Sequence, residues 1–216
     1  MSADRGDAFR GLHVLADDDP RWGRDPVQIA RDACQAGAPV IQLRTKHATD
    51  SQTLQWAQAI REITREAGAR FVVNDRFDIA LLAEADAVHL GQDDLPPDAL
   101  PQSAREKLAI GRSTHTPEQL EAARNEAVDY VAFGPVFGTA SKDSSYSERG
   151  LEALRQAVAL AAPRPLIAIG GIKAHHLAEL RAAGAGGFAV ISVIAGARDL
   201  VAATSELIEG FREIGK

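Results

Sequence analysis

Short runs of β-branched and aliphatic residues alternate along this chain with Ala-rich segments whose apolar positions recur every three or four residues. The runs are Gly11 to Ala16, Pro39 to Arg44, Arg70 to Asn74, Ala87 to Gly91, Leu108 to Ser113, Tyr130 to Gly134, Leu166 to Gly170 and Phe188 to Ser192. Each predicts a strand. Between them, Asp50 to Ala67 sets Leu54, Ala57, Ile60, Ile63 and Ala67 on one side, which predicts an amphipathic helix. Thr116-Pro117-Glu118 opens another helix with a hydroxyl cap and Pro at the first turn, and Gly68 and Gly184 close two of these helix-like stretches. Eight strands alternating with helices over 216 residues predict an α/β fold, a (β/α)8 TIM barrel in a single domain spanning residues 11–216, after an N-terminal extension at 1–10. An open doubly wound sheet is the alternative, but no Gly-x-Gly-x-x-Gly follows the first strand.

Composition narrows the partners. Lys plus Arg number 24 against 30 Asp plus Glu, a formal charge of −6 with no long basic tract, so nucleic acid is not expected. The opening ten residues carry both signs of charge and no apolar core of a secretory signal. Gly187 to Ala197, the longest apolar stretch, is too short for a bilayer, so no membrane partner is expected. The single cysteine, Cys34, rules out an internal disulfide framework and suits a cytoplasmic setting. Homodimer formation is left open, because barrel helices can face solvent or a second copy with similar patterning.

Candidate chemistry gathers just after the strands, where a barrel carries its active site. If Ile41 and Leu43 point outward, Gln42 and Arg44 point inward, and Lys46 continues that side. Such inward polar groups serve a ligand or a structural ion pair. Asn74 and Asp75 end the third strand and Asp93 and Asp94 follow the fourth. With neighbouring strands ~4.8 Å apart, their carboxylates can reach one Mg²⁺, although Asp-rich turns serve equally as caps. Gly170-Gly171 and Ile191-Ser192 end the last two strands, where backbone N–H groups can approach a phosphate; a simple left-handed turn explains the glycines equally well. Asp17 to Asp25 and Gly138 to Arg149 read as long loops on the same face. His115, after the fifth strand, is the histidine best placed for chemistry, while His89, His175 and His176 read as packing, capping or surface residues.

Taken in order, Gln42-Leu43-Arg44-Thr45-Lys46, Asn74-Asp75-Arg76, His89-Leu90-Gly91-Gln92-Asp93-Asp94, Ser113-Thr114-His115, Gly134-Pro135 through Lys142 and Ala168-Ile169-Gly170-Gly171-Ile172 resemble the thiamine phosphate synthase family from about Leu12 to Leu200. The resemblance implies a Mg²⁺-dependent transferase. It would join 4-amino-5-hydroxymethyl-2-methylpyrimidine diphosphate to hydroxyethylthiazole phosphate, or its carboxylated form, and release pyrophosphate. It further implies that Gln42, Arg44, Lys46, Asn74, Ser113 and Lys142 hold the pyrimidine diphosphate, with Arg44, Lys46 and Lys142 catalytic. Asp75 and Asp94 would bind Mg²⁺, and Thr139, Ser141, Gly171, Ile191 and Ser192 would hold the thiazole phosphate. Thr45 stands where the family usually has an acid, and Ser141 where Thr is common.

Two rivals share the fold. A thiazole tautomerase, which resembles this chain at Gly111-Arg112-Ser113 and His115, would use the histidine for proton transfer but has no use for Asn74-Asp75 and Gln92-Asp93-Asp94 together. A phosphate-binding barrel without turnover leaves the cations and carboxylates at several strand ends unexplained.

Overall fold

The apolar runs become eight parallel strands that close into a barrel in chain order. They are β1 (Gly11–Asp17), β2 (Val40–Arg44), β3 (Arg70–Asn74), β4 (Ala87–Leu90), β5 (Ala109–Thr114), β6 (Tyr130–Phe133), β7 (Leu166–Ile169) and β8 (Gly187–Val190). The structure, a computed structural model, describes residues 3–138 and 147–212. Every expected strand is present to within two residues at either end. The helices are α1 (Ala3–Asp7), α2 (Pro26–Gln35), α3 (Asp50–Ala67), α4 (Phe77–Leu82), α5 (Gln102–Lys107), α6 (Pro117–Asn125), α7 (Gly150–Ala161), α8 (Leu177–Ala182), α9 (Ser192–Ala195) and α10 (Leu200–Arg212). None among the described residues is long and apolar enough to cross a membrane.

Local chemistry sets the helix boundaries. Thr49 accepts the Gln52 N–H at the start of α3, and Gly68 closes it at φ +67. Thr116 caps α6 in the same way, with Pro117 in the first turn. One residue of α3, Ala57, and Ile60 one turn later are fully buried against the barrel wall.

Register decides what the barrel encloses. Asp17 lies opposite Arg44, Leu15 opposite Gln42, Gln42 opposite Val72, Asn74 opposite His89, His89 opposite Gly111 and Gly111 opposite Tyr130. With a period of two along each strand, these residues share the inner surface. Its N-terminal end is closed by Phe9, stacked on Tyr130 with centroids 5.1 Å apart. Beside them, the buried His13 donates from Nε2 to the Phe9 carbonyl at 2.6 Å.

Burial lowers the pKa of His13 from 6.5 to about 4, the Phe9 hydrogen bond acting in opposition. The unfolded chain therefore takes up this proton first as the pH falls. Stability contributed by neutral His13 is complete above 6.5 and is lost down to about pH 4, by about 3 kcal/mol in all. Urea unfolding of His13→Gln is expected to lose less stability than wild type between those pH values. Parallel profiles would contradict the assignment.

Candidate active site

Arg44, at the end of β2, forms an ion pair with Asp17, whose side chain is only 2% exposed. The Asp17 carboxylate also accepts the Trp22 indole N–H at 2.9 Å and the Asp19 N–H at 3.1 Å. A carboxylate so buried is stable because each oxygen has a donor. Its neighbour Asp18 accepts the N–H groups of Lys46, His47 and Ala48 at 2.8, 2.9 and 2.8 Å, which fastens the loop after β2 to the end of β1. The segment expected as an open loop from Asp17 to Asp25 is thus a brace. Asp17 belongs to β1, and Pro20–Trp22 forms a 3-10 turn.

Asp75 sits just past β3 with φ +66, in the left-handed region that a side chain enters at a cost of about 1 kcal/mol. Its N–H donates to the His89 carbonyl at 2.8 Å, and its Oδ2 accepts from Lys46 Nζ at 2.6 Å. Asp94, after β4, turns back so that Oδ2 accepts the Gly91 N–H at 2.6 Å. Burial raises the Asp94 pKa; the Gly91 N–H opposes this, and the adjoining Asp75 carboxylate adds to it. Two carboxyl groups crowded together beside one ammonium suit a hard divalent cation, which needs only one or two protein carboxylates. Among the described residues no cluster of three or more His, Cys, Asp or Glu is placed to hold a metal. The donor set here is that of an ion sharing its shell with a ligand, and the residues fit Mg²⁺.

The rest of this side is rigidly supported. Gln92 donates to the Ser113 carbonyl at 2.5 Å, and the buried Arg112 donates to the Gly91 carbonyl at 2.5 Å. Ser113 Oγ lies 2.9 Å from His89 Nε2. Gln42 is buried between Leu15 and Val72 in register, and Asn74 is half-buried beside His89. His115 donates from Nδ1 to the Gly134 carbonyl at 2.6 Å.

Across the barrel mouth lies a cleft of about 680 Å³, lined by Gly171 and Ser192 together with Arg21, Trp22, Lys173 and His175. Ile191, buried, precedes Ser192 at the start of the short α9. Sequence reasoning missed the last four of these lining residues. Arg21 and Trp22 come from the β1 brace, and the indole that contacts Asp17 also walls this cleft. Thr139, Ser141 and Lys142 lie outside the described residues.

Gly171 has φ +61, and a Cβ there would stand 2.3 Å from the Gly138 carbonyl oxygen. Gly171→Ala must therefore push two backbone segments apart. It is expected to cost about 1–3 kcal/mol in urea unfolding. An unchanged urea midpoint would contradict this close approach.

Comparison with known proteins agrees with this arrangement. The family model described as thiamine monophosphate synthase matches residues 12–194. The thiamine-phosphate synthase of Methanoculleus marisnigri is 44% identical over 196 residues, covering 91% of this chain and 92% of that one. That of Pelotomaculum thermopropionicum is 44% identical over 180 residues, covering 83% and 82%. Among solved structures, thiamine phosphate pyrophosphorylase from Pyrococcus furiosus superposes with a TM-score of 0.84 at 35% identity, covering 98% of this chain and 99% of that one. A barrel with paired carboxylates and cations at one side of its mouth, and this extent of shared sequence, has one reading: the chain belongs to the thiamine monophosphate synthase family.

Proposed function

We propose that this protein is a thiamine-phosphate synthase acting on two small molecules, a pyrimidine methyl diphosphate and a hydroxyethylthiazole phosphate. The observation that carries the reading is the Lys46–Asp75 ion pair at 2.6 Å, at the mouth of the barrel that also holds the Gly171 and Ser192 cleft. The 44% identity to synthases over almost the whole chain supports it.

In the proposed reaction the C–O bond between the pyrimidine methylene and the diphosphate breaks, and the electron pair leaves with pyrophosphate. The thiazole nitrogen then donates its lone pair to the methylene carbon, giving the thiazolium. Arg44, Lys46 and Lys142 neutralise the charge growing on the leaving group. Asp17 holds the Arg44 guanidinium in place, so little reorganisation is needed as that charge develops. Gln42, Asn74 and Ser113 orient the pyrimidine diphosphate, while Thr139, Ser141, Gly171, Ile191 and Ser192 hold the thiazole phosphate so that its nitrogen, not water, reaches the carbon. Asp75 and Asp94 would hold Mg²⁺, which when bound supplies Lewis-acid stabilisation of phosphoryl oxygens. No protein nucleophile is required, and cytoplasmic residence accords with a biosynthetic role.

The test is to incubate the protein with both substrates and follow them by ³¹P NMR. Thiamine phosphate and pyrophosphate are expected to rise together, one for one, and neither without both substrates. Proton exchange on the thiazole phosphate alone, without condensation, would instead place an isomerase at His115.

A further inference from the structure

Three strands cooperate in a feature that the reaction as described leaves unused. His89 on β4, Gly111 on β5 and Tyr130 on β6 stand side by side in register on the inner surface. Gly111 has no side chain, and the other two meet across the gap: His89 Nδ1 lies 3.2 Å from the Tyr130 hydroxyl, with the rings stacked at 5.6 Å. A Cβ at Gly111 would stand 2.2 Å from Tyr130 Cζ and 2.5 Å from His89 Nδ1, so only glycine permits the meeting. On its other side His89 Nε2 reaches Ser113 Oγ at 2.9 Å, two residues beyond Gly111 and at the barrel mouth. The result is a polar chain from the closed end of the barrel to the site.

The donors and acceptors of these three side chains give that chain a direction. Tyr130 is 1% exposed, and its hydroxyl needs an acceptor in so dry a place. The acceptor beside it is His89 Nδ1, since a neutral imidazole has one donor and one acceptor nitrogen. Nδ1 then carries no proton and Nε2 does. Nε2–H donates to Ser113 Oγ, which leaves the Ser113 proton to be donated to a group other than the histidine. An anionic ligand oxygen would accept from it.

We propose that Tyr130 and His89 are positioning residues that fix the Ser113 hydroxyl as a hydrogen-bond donor to the diphosphate substrate. The inference rests on the reading of Ser113 as a diphosphate ligand, but its first test does not. Nitrogen-15 NMR of the imidazole in the wild-type protein is expected to show His89 as the Nε2–H tautomer, and as the Nδ1–H form or a mixture in Tyr130→Phe. An Nδ1–H tautomer in wild type would overturn the proposal whether or not the enzyme turns over.

The second test is kinetic. Tyr130→Phe is expected to lower kcat/KM for the pyrimidine diphosphate about tenfold while leaving the KM for the thiazole phosphate unchanged. Placed on Ser113→Ala, the same substitution is expected to change kcat/KM by less than about twofold, because the hydroxyl it orients is gone. An equal loss in both backgrounds would show that Tyr130 only packs the barrel, and would overturn the proposal. Wild-type protein that fails to form thiamine phosphate while showing the Nε2–H tautomer would count against the synthase reading and leave the hydrogen-bond chain standing.

Discussion

Replacement of Asp75 is expected to reduce thiamine phosphate formation by about 10³-fold with the barrel still folded. The carboxylate has two tasks at this position, pairing with Lys46 Nζ at 2.6 Å and adjoining Asp94. It also occupies a backbone conformation, φ +66, in which Asn and Asp are tolerated better than other side chains. Asp75→Asn therefore keeps the turn and removes the charge, whereas Asp75→Ala disturbs both. The Asn variant should retain the wild-type urea midpoint to within about 0.5 kcal/mol and lose nearly all turnover, and Ala should lose stability as well. Full turnover by the Asn variant would take the proposed metal role away from Asp75.

Asp17→Ala should destabilise the fold by about 3 kcal/mol, because it strands a partly buried guanidinium and an indole N–H that now share one carboxylate. The activity consequence should reach both substrates. Arg44 faces the diphosphate side in the proposed complex, while Trp22 lines the cleft that holds Gly171 and Ser192. KM values for both substrates are expected to rise about tenfold or more. Asp17→Asn keeps an acceptor for Trp22 and should spare the thiazole phosphate KM relative to Ala. A rise confined to one substrate in the Ala variant would show that the two sides are not joined through this residue.

The barrel was legible because its signals are local. A strand buried on both faces reads as a short apolar run, and the caps at Thr49, Gly68 and Thr116 are set by the residues themselves. Period two likewise indicated that Gln42 and Arg44 share a face, and the strand order placed Asp75 and Asp94 at the ends of neighbouring strands. The Asp17–Arg44 pair was not legible, since it joins residues 27 positions apart through strand register, and three successive aspartates look like a turn. Nor was the Tyr130–His89–Ser113 chain. It depends on the empty place at Gly111, and a missing side chain has no periodicity to read. Arg21 and Lys173 were passed over for a related reason, because nothing in the sequence says that the first and seventh loops meet over one cleft.

The most direct measurement is the dependence of thiamine phosphate formation on Mg²⁺, made with the wild-type protein and both substrates, first in excess chelator and then with Mg²⁺ restored. No product is expected in chelator, with saturable recovery on adding Mg²⁺ and a requirement for more Mg²⁺ in Asp94→Asn. Product formed at the same rate in chelator would contradict the proposed metal role of Asp75 and Asp94.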